Sequence, residues 1–315
     1  METILLLSHR EQACGIQQWG RRTADVLSKS TKYNFVYEEL EAEYEFRALV
    51  QKYNPSSIIY NYHISTMTWL NPSLLDEFRG RKQTVIIHEG FAHPENEHSF
   101  DYYIYIDPEM HIDNQWSHKV FKVGRVLPHY NGTQRINDVV NVGSFGFGFA
   151  NKQYDMIARK VNEEFDEAVI NLLIPFAKFG DQYGDAARLS ADRCRAEITK
   201  PGIKLNITHD FLPEKDVLDF LAGNDINAFF YADMQGRGMS SATDYALAVR
   251  RPIILTKSYM FRHINNLVAN PINIEDVTIK EVLSKGTQPL EQFYDKWTDD
   301  NYVKEFEDIF NVILS

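Results

Sequence analysis

The most constraining feature of this chain is a recurrent alternation of short apolar runs with amphipathic helical stretches. Runs of strand length occupy residues 4–7, 35–37, 57–60, 84–87, 102–106 and 119–123, with helical stretches at 43–53 and 73–79. Ile16, Trp19, Thr23, Val26 and Leu27 fall on one face of a further helix, at spacings of three, four, three and one. The apolar runs are near-continuous rather than alternating, which marks strands covered on both faces. Strands that alternate with helices in this way build mostly parallel sheets.

Residues 124–138 break the rhythm with Pro128, the Asn131-Gly132 pair and several polar side chains. The pattern then restarts. Strands are predicted at 139–142, 168–174, 204–207, 226–231 and 252–256, and helices at 152–164, 186–198, 217–221 and 240–249. Residues 143–150 read as a glycine-rich loop, and residues 290–314 carry apolar side chains at helical intervals. This organisation predicts an α/β domain over residues 1–125, a linker over 126–138, a second α/β domain over 139–289 and a helical segment over 290–315. The length of 315 residues suits two domains of roughly 150 each.

Charge and cysteine content narrow the function classes. Lys and Arg number 33 against 44 Asp and Glu, giving 33 − 44 = −11. That balance argues against a protein that grips long nucleic acid by charge, and Arg10, Arg21, Arg22, Arg79, Arg81 and Lys82 are the candidates for a local basic patch. Two cysteines, Cys14 and Cys194, cannot form a disulfide framework or a cysteine-rich zinc site. No apolar run approaches a membrane span, and the first residues lack a basic signal-peptide region, so a cytoplasmic protein is expected.

Ligands of open parallel sheets bind beyond the carboxyl ends of the strands, which directs attention to the loops there. Gly143, Gly146, Phe147 and Gly148, followed by Lys152 at a helix head, suit a phosphate. They suit equally a tight turn with a solvated lysine. Gly236, Arg237, Gly238, Met239, Ser240 and Ser241 form a second candidate, with Ser240 a plausible helix N-cap and Asp244 one turn in. A purely structural cap fits that loop as well. Gly15, in the first strand-to-helix loop, allows close backbone approach to a ligand or serves a turn with positive φ. His9, His63 and His88 each follow a predicted strand, and His93 and His98 lie in the next loop. Their spacing is not that of a zinc-binding helix, so no metal is expected. A histidine at a strand end can bond a hydroxyl or a developing charge, or can fill a structural role.

Taken together, these segments resemble the GT-B glycosyltransferases, and among them the retaining, sugar-nucleotide-dependent family 4 type. The resemblance rests on Cys14-Gly15-Ile16 before a helix and on Thr84 to Ile87 ending in His88 and Glu89. It extends to Val142-Gly143-Ser144-Phe145-Gly146 with Lys152, and to Gly238-Met239-Ser240-Ser241 through Arg251-Pro252. It implies two Rossmann-like domains with a cleft between them and a closing helical segment that packs back on the first domain. It also implies transfer of a sugar from a UDP-, GDP- or ADP-linked donor, without metal or other cofactor, to an acceptor the sequence does not identify. His88 and His63 would then face the sugar or acceptor. Gly15, Gly146, Phe147, Lys152, Arg237, Gly238, Met239, Ser240, Ser241 and Asp244 would hold the donor. The family commonly carries two glutamates eight positions apart. Here Arg237 and Tyr245 occupy those places, so Asp244 would take the ribose and Arg237 the diphosphate. A non-catalytic nucleotide- or glycan-binding relative and a sugar-nucleotide epimerase are the alternatives.

Overall fold

A computed structural model describes residues 1–89, 100–177 and 180–315. The chain divides into two compact units. The first comprises Met1–Val126, Gly236–Gly238 and Lys296–Ser315; the second comprises Leu127–Gln235 and Met239–Asp295.

The first unit is built on a six-stranded parallel sheet in the order β2-β1-β3-β4-β5-β6. Its strands are β1 (Thr3–Ser8), β2 (Asn34–Glu39), β3 (Ser57–Tyr60), β4 (Lys82–Ile87), β5 (Tyr102–Tyr105) and β6 (Val120–Lys122). Helices α1 (Gly15–Leu27), α2 (Glu43–Tyr53) and α3 (Pro72–Glu77) connect them. Successive side chains of a strand face opposite ways. Accordingly Ile4 and Leu6 join the core beneath α1, with Trp19, Val26 and Leu27, whereas Leu5 and Leu7 join the core beneath α2, with Phe46 and Val50. The chain order reverses between β1 and β3, so the loops that leave these two strands diverge to opposite faces of the sheet.

The second unit holds a five-stranded parallel sheet in the order β11-β10-β7-β8-β9. Its elements, in chain order, are β7 (Asn141–Phe145), α4 (Tyr154–Glu164), β8 (Ala168–Leu173), α5 (Asp185–Glu197), β9 (Ile203–Thr208), α6 (Glu214–Ala222), β10 (Ile226–Phe229), α7 (Ala242–Ala248) and β11 (Ile253–Leu255). Helices α8 (Arg262–Asn265), α9 (Ile279–Lys285) and α10 (Glu291–Lys296) follow. Here the order reverses between β7 and β10. Residues 127–138 form no regular element and are fastened to this unit, Asn137 donating to the Gly223 carbonyl at 3.1 Å and Gln134 to that of Val249 at 3.0 Å.

The closing helix α11 (Asp299–Leu314) belongs to the first unit. Phe306 and Phe310 are fully buried in the core beneath α1, and the Tyr302 hydroxyl lies 3.0 Å from Thr23 Oγ1. Glu305 accepts the Gly124 N–H at 2.7 Å, and burial raises the pKa of that carboxyl.

Two expectations need correction. Strand β7 runs to Phe145, so Gly143 and Ser144 are strand residues and the loop begins only at Gly146. Gly143 is tolerated inside a central strand because a Cβ there would lie 2.0 Å from Asn224 Nδ2, in space the asparagine already fills. Helix α7 starts at Ala242, two residues later than expected. Ser241 holds the cap position in helical conformation without a side-chain bond, whereas the buried Ser240 Oγ accepts the Ala242 N–H at 3.4 Å and lies 3.4 Å from the Tyr231 hydroxyl.

Candidate functional site

In the first unit the residues just beyond β1, β3 and β4 form a connected polar cluster. Asn61 is fully buried. Its Nδ2 donates to Ser8 Oγ at 3.0 Å and to the Ile16 carbonyl at 2.7 Å, and its Oδ1 lies 2.6 Å from His88 Nε2. The Ile16 carbonyl can only accept, which fixes the amide orientation. Oδ1 must therefore accept from His88 Nε2–H, leaving Nδ1 of that ring as an acceptor. Burial of the ring, with Trp19 edge-on at 5.2 Å, is the main cause that lowers the His88 pKa to about 3, and Arg125, His63 and His9 contribute to the same shift. His88 is thus neutral near pH 7, suited to accept a hydroxyl proton and not to stabilise negative charge.

His63 has the opposite polarity. Its Nδ1 accepts the Ser65 N–H at 3.2 Å and lies 2.6 Å from Ser65 Oγ, so in the neutral ring Nε2 carries the proton. His93 and His98 lie outside the described residues. Among the described residues no group of three or more His, Cys, Asp or Glu could hold a metal ion.

The other predicted residues of this unit are placed differently from expectation. Gly15 is the first residue of α1 and does not have positive φ; Cys14 before it makes no side-chain cap. Arg237 lies 3.4 Å from Glu89, which also accepts the Gly238 N–H at 3.0 Å. Arg237 is therefore engaged by a carboxylate where a diphosphate partner was expected. Any side chain at position 238 would meet the His88 carbonyl at 2.0 Å, so only glycine fits. Three members of the candidate basic patch are paired with carboxylates: Arg10 with Glu45 at 2.6 Å, Arg21 with Glu39 at 3.4 Å and Arg79 with Asp76 at 2.7 Å.

In the second unit, Gly146 takes φ +135°, a region open to glycine, and its carbonyl accepts the Tyr154 hydroxyl at 2.7 Å. Lys152 lies in a 3-10 turn before α4, not in the helix. Its Nζ stands 3.6 Å above the Tyr231 ring and makes no ion pair among the described residues. Tyr231 thus joins Lys152 and Ser240, while Phe147 lies 6.2 Å from Phe149 between ring centres. Met239 and Ser241 are partly exposed. Asp244 has no exposed surface, which separates it from the ribose-binding role expected of it. Tyr245 is buried too, bonded through its hydroxyl to Glu214 at 3.1 Å.

Two features went unseen in the sequence. Phe176 and His209 stack at 5.1 Å, 26° apart, beyond the ends of β8 and β9, with the Arg188 guanidinium 4.8 Å from the Phe176 ring. Phe176 and the nearby Phe211 are exposed, 37% and 47%. Beyond β10 and β11 lies a depression of about 440 Å³ lined by Gln153, Tyr231, Asp233, Lys257, Ser258 and Glu275. Both features join side chains from separate loops, and no local motif announces them.

No family model matches the chain, and no curated protein matches its sequence. Solved structures do match it. A glycosyltransferase from Rickettsia africae has a TM-score of 0.59 at 9% identity, over 99% of this chain and 93% of that one. Anabaena HepE, in complex with UDP and glucose, has a TM-score of 0.56 at 11% identity, over 97% and 94%. The trehalose-6-phosphate synthase OtsA has a TM-score of 0.54 at 10% identity, over 99% and 95%. At such identities the likeness establishes the fold: this chain is a mixed α/β protein with two Rossmann-like parallel sheets, the architecture of the GT-B glycosyltransferases.

Proposed function

We propose that the chain is a glycosyltransferase that takes a sugar from a nucleotide-diphosphate donor. The observation that carries this reading is the match, over 97% of this chain, to a structure holding UDP and glucose. In the second unit, Lys152 would neutralise the diphosphate as it leaves, a preorganised charge placed where negative charge develops. The stacked Phe176 and His209 rings offer a planar surface to the base. In the first unit, the His88 ring would present an acceptor and the His63 ring a donor to sugar hydroxyls. Retention of configuration is proposed from the resemblance of the His88 and Gly238 segments to retaining enzymes. Independence from metal is proposed because Lys152 can supply the cation.

The test is a thermal-shift screen of UDP, GDP and ADP with their sugars, followed by donor hydrolysis and NMR of the product anomer, with and without EDTA. Losing a charge-assisted contact worth about 1.5–3 kcal/mol should weaken diphosphate binding by Lys152→Ala about 10- to 150-fold. Absence of any nucleotide response would sink the proposal. A second reading, a nucleotide- or glycan-binding subunit without catalysis, is favoured by the buried Asp244 and Tyr245 and by Arg237 pairing with Glu89. Tight nucleotide binding with neither hydrolysis nor transfer would select it.

A further inference from the structure

Lys152 differs from basic neighbours in the second unit in what holds its charge. Lys257, beyond β11, pairs with Asp276 at 2.6 Å, and Arg188, in α5, lies 3.5 Å from Asp185. Lys152 makes no ion pair among the described residues, and its Nζ stands 3.6 Å above the centre of the Tyr231 ring. The two ways of holding a cation leave different things for a ligand. A carboxylate cancels the charge and occupies the N–H groups that face it. An aromatic face attracts the cation through its quadrupole, brings no net charge, and leaves the ammonium donors that point away from it open to an anion.

The ring is itself fixed. Tyr231 is 2% exposed, with Phe261 at 4.7 Å and Phe229 edge-on at 6.4 Å between ring centres. Its hydroxyl lies 3.4 Å from Ser240 Oγ, and its backbone carbonyl accepts the Thr256 hydroxyl at 2.7 Å. Lys152 is half-buried, and Tyr231 also lines the depression of about 440 Å³ beyond β10 and β11. The ring that carries the ammonium is thus rigid on the protein side and borders open space.

We propose that Tyr231 is a positioning residue for the donor diphosphate: it holds the Lys152 ammonium in place with its charge uncancelled, so that the anion meets a preorganised cation. The proposal deepens the glycosyltransferase reading and rests on it. Pyrophosphate, UDP, GDP and ADP are titrated by calorimetry into the full chain, Tyr231→Phe, Tyr231→Leu, Lys152→Met and the Tyr231→Leu/Lys152→Met double variant. Tyr231→Leu removes the aromatic face and should weaken the tightest of these ligands about 3- to 30-fold. Tyr231→Phe keeps the face and drops only the hydroxyl, so its binding should stay within about twofold of the native chain. In the Lys152→Met background Tyr231→Leu should cost nothing further, because no ammonium is left to place. In proton spectra the Lys152 ε-methylene, assigned by its loss in Lys152→Met, should lie upfield of the other lysines in the native chain and in Tyr231→Phe. It should move back in Tyr231→Leu. An equal loss with and without Lys152, or Tyr231→Phe as weak as Tyr231→Leu, marks the ring as packing only and overturns the proposal. So does native binding by Tyr231→Leu, or an unshifted ε-methylene in the native chain. If nucleotides bind and these patterns fail, the glycosyltransferase reading survives without this one; if neither pyrophosphate nor any nucleotide binds, both fall.

Discussion

Replacing Asn61 with aspartate should turn His88 from a permanently neutral group into a titrating one. The substitution keeps the shape of the side chain and removes its donors. Ser8 can reverse its bond and donate to the carboxylate, but the Ile16 carbonyl, 2.7 Å away, then faces a carboxylate oxygen. One lost bond and one unsatisfied buried carbonyl together should cost about 2–4 kcal/mol at pH 7. The new negative charge lies at the position 2.6 Å from His88 Nε2. An opposite charge that close raises a histidine pKa by about 1–3 units, which brings His88 from about 3 to about 4–6. In the native protein the unfolded chain binds this proton near pH 6.5 and the folded chain does not. Stability therefore falls as pH drops from about 6.5 toward 3, by up to about 1.4 kcal/mol per unit. In the variant that window narrows and the acid slope flattens. All four tryptophans, Trp19, Trp69, Trp116 and Trp297, lie in the first unit, so indole fluorescence in urea reports on that unit alone. Trp19 touches His88 edge-on and should be quenched as the ring gains a proton. Fluorescence that stays flat from pH 7 to 4 in the variant, with an acid slope equal to that of the native protein, would refute the hydrogen-bond assignment.

Other consequences are simpler to read. Phe310→Ala empties a fully buried site packed on Tyr33 and Phe35, and should cost the first unit about 3–5 kcal/mol in the same urea assay. Gly148→Ala would place a methyl 2.3 Å from the Ala187 Cα and lower Tm, whereas Gly80→Ala meets nothing within 4 Å and should leave it unchanged or slightly raised. Burial pushes the Cys194 thiol up to about 12 while Cys14 is partly exposed, so a disulfide reagent at pH 8 should titrate one thiol in the folded protein and two after denaturation.

The fold was legible because its strands are buried on both faces: 57–60 coincides with β3, and 4–7 lies inside β1. Where polar residues enter a strand the reading slipped. Gly143 and Ser144 look like a loop, and only the close approach of Asn224 explains why they can be sheet. Of the first-unit cluster the histidines stood out, since each follows an apolar run, but Asn61 did not. A lone asparagine after a strand reads as a turn residue, and its role as hub depends on Ser8, Ile16 and His88 arriving from distant sequence. Asp244 shows the converse. Its place on the helix suggested a ligand contact, but α7 is buried along nearly its whole length, a fact of packing that helical spacing does not carry.

The return of α11 to the first unit also bears on how the chain is made. From Val126, where the unit's first segment stops, to Asp299, where α11 begins, the ribosome must add 299 − 126 = 173 residues. At roughly 5–20 residues per second that takes roughly 9–35 s, far longer than helices and strands need to form. Throughout that interval the surface that Phe306 and Phe310 will cover has no partner from its own unit. The second unit, continuous in sequence apart from three residues, faces no such delay and can close first. Nascent chains stalled before residue 299 should therefore be captured by holdase chaperones through their first 126 residues, and chains extended past α11 should be released.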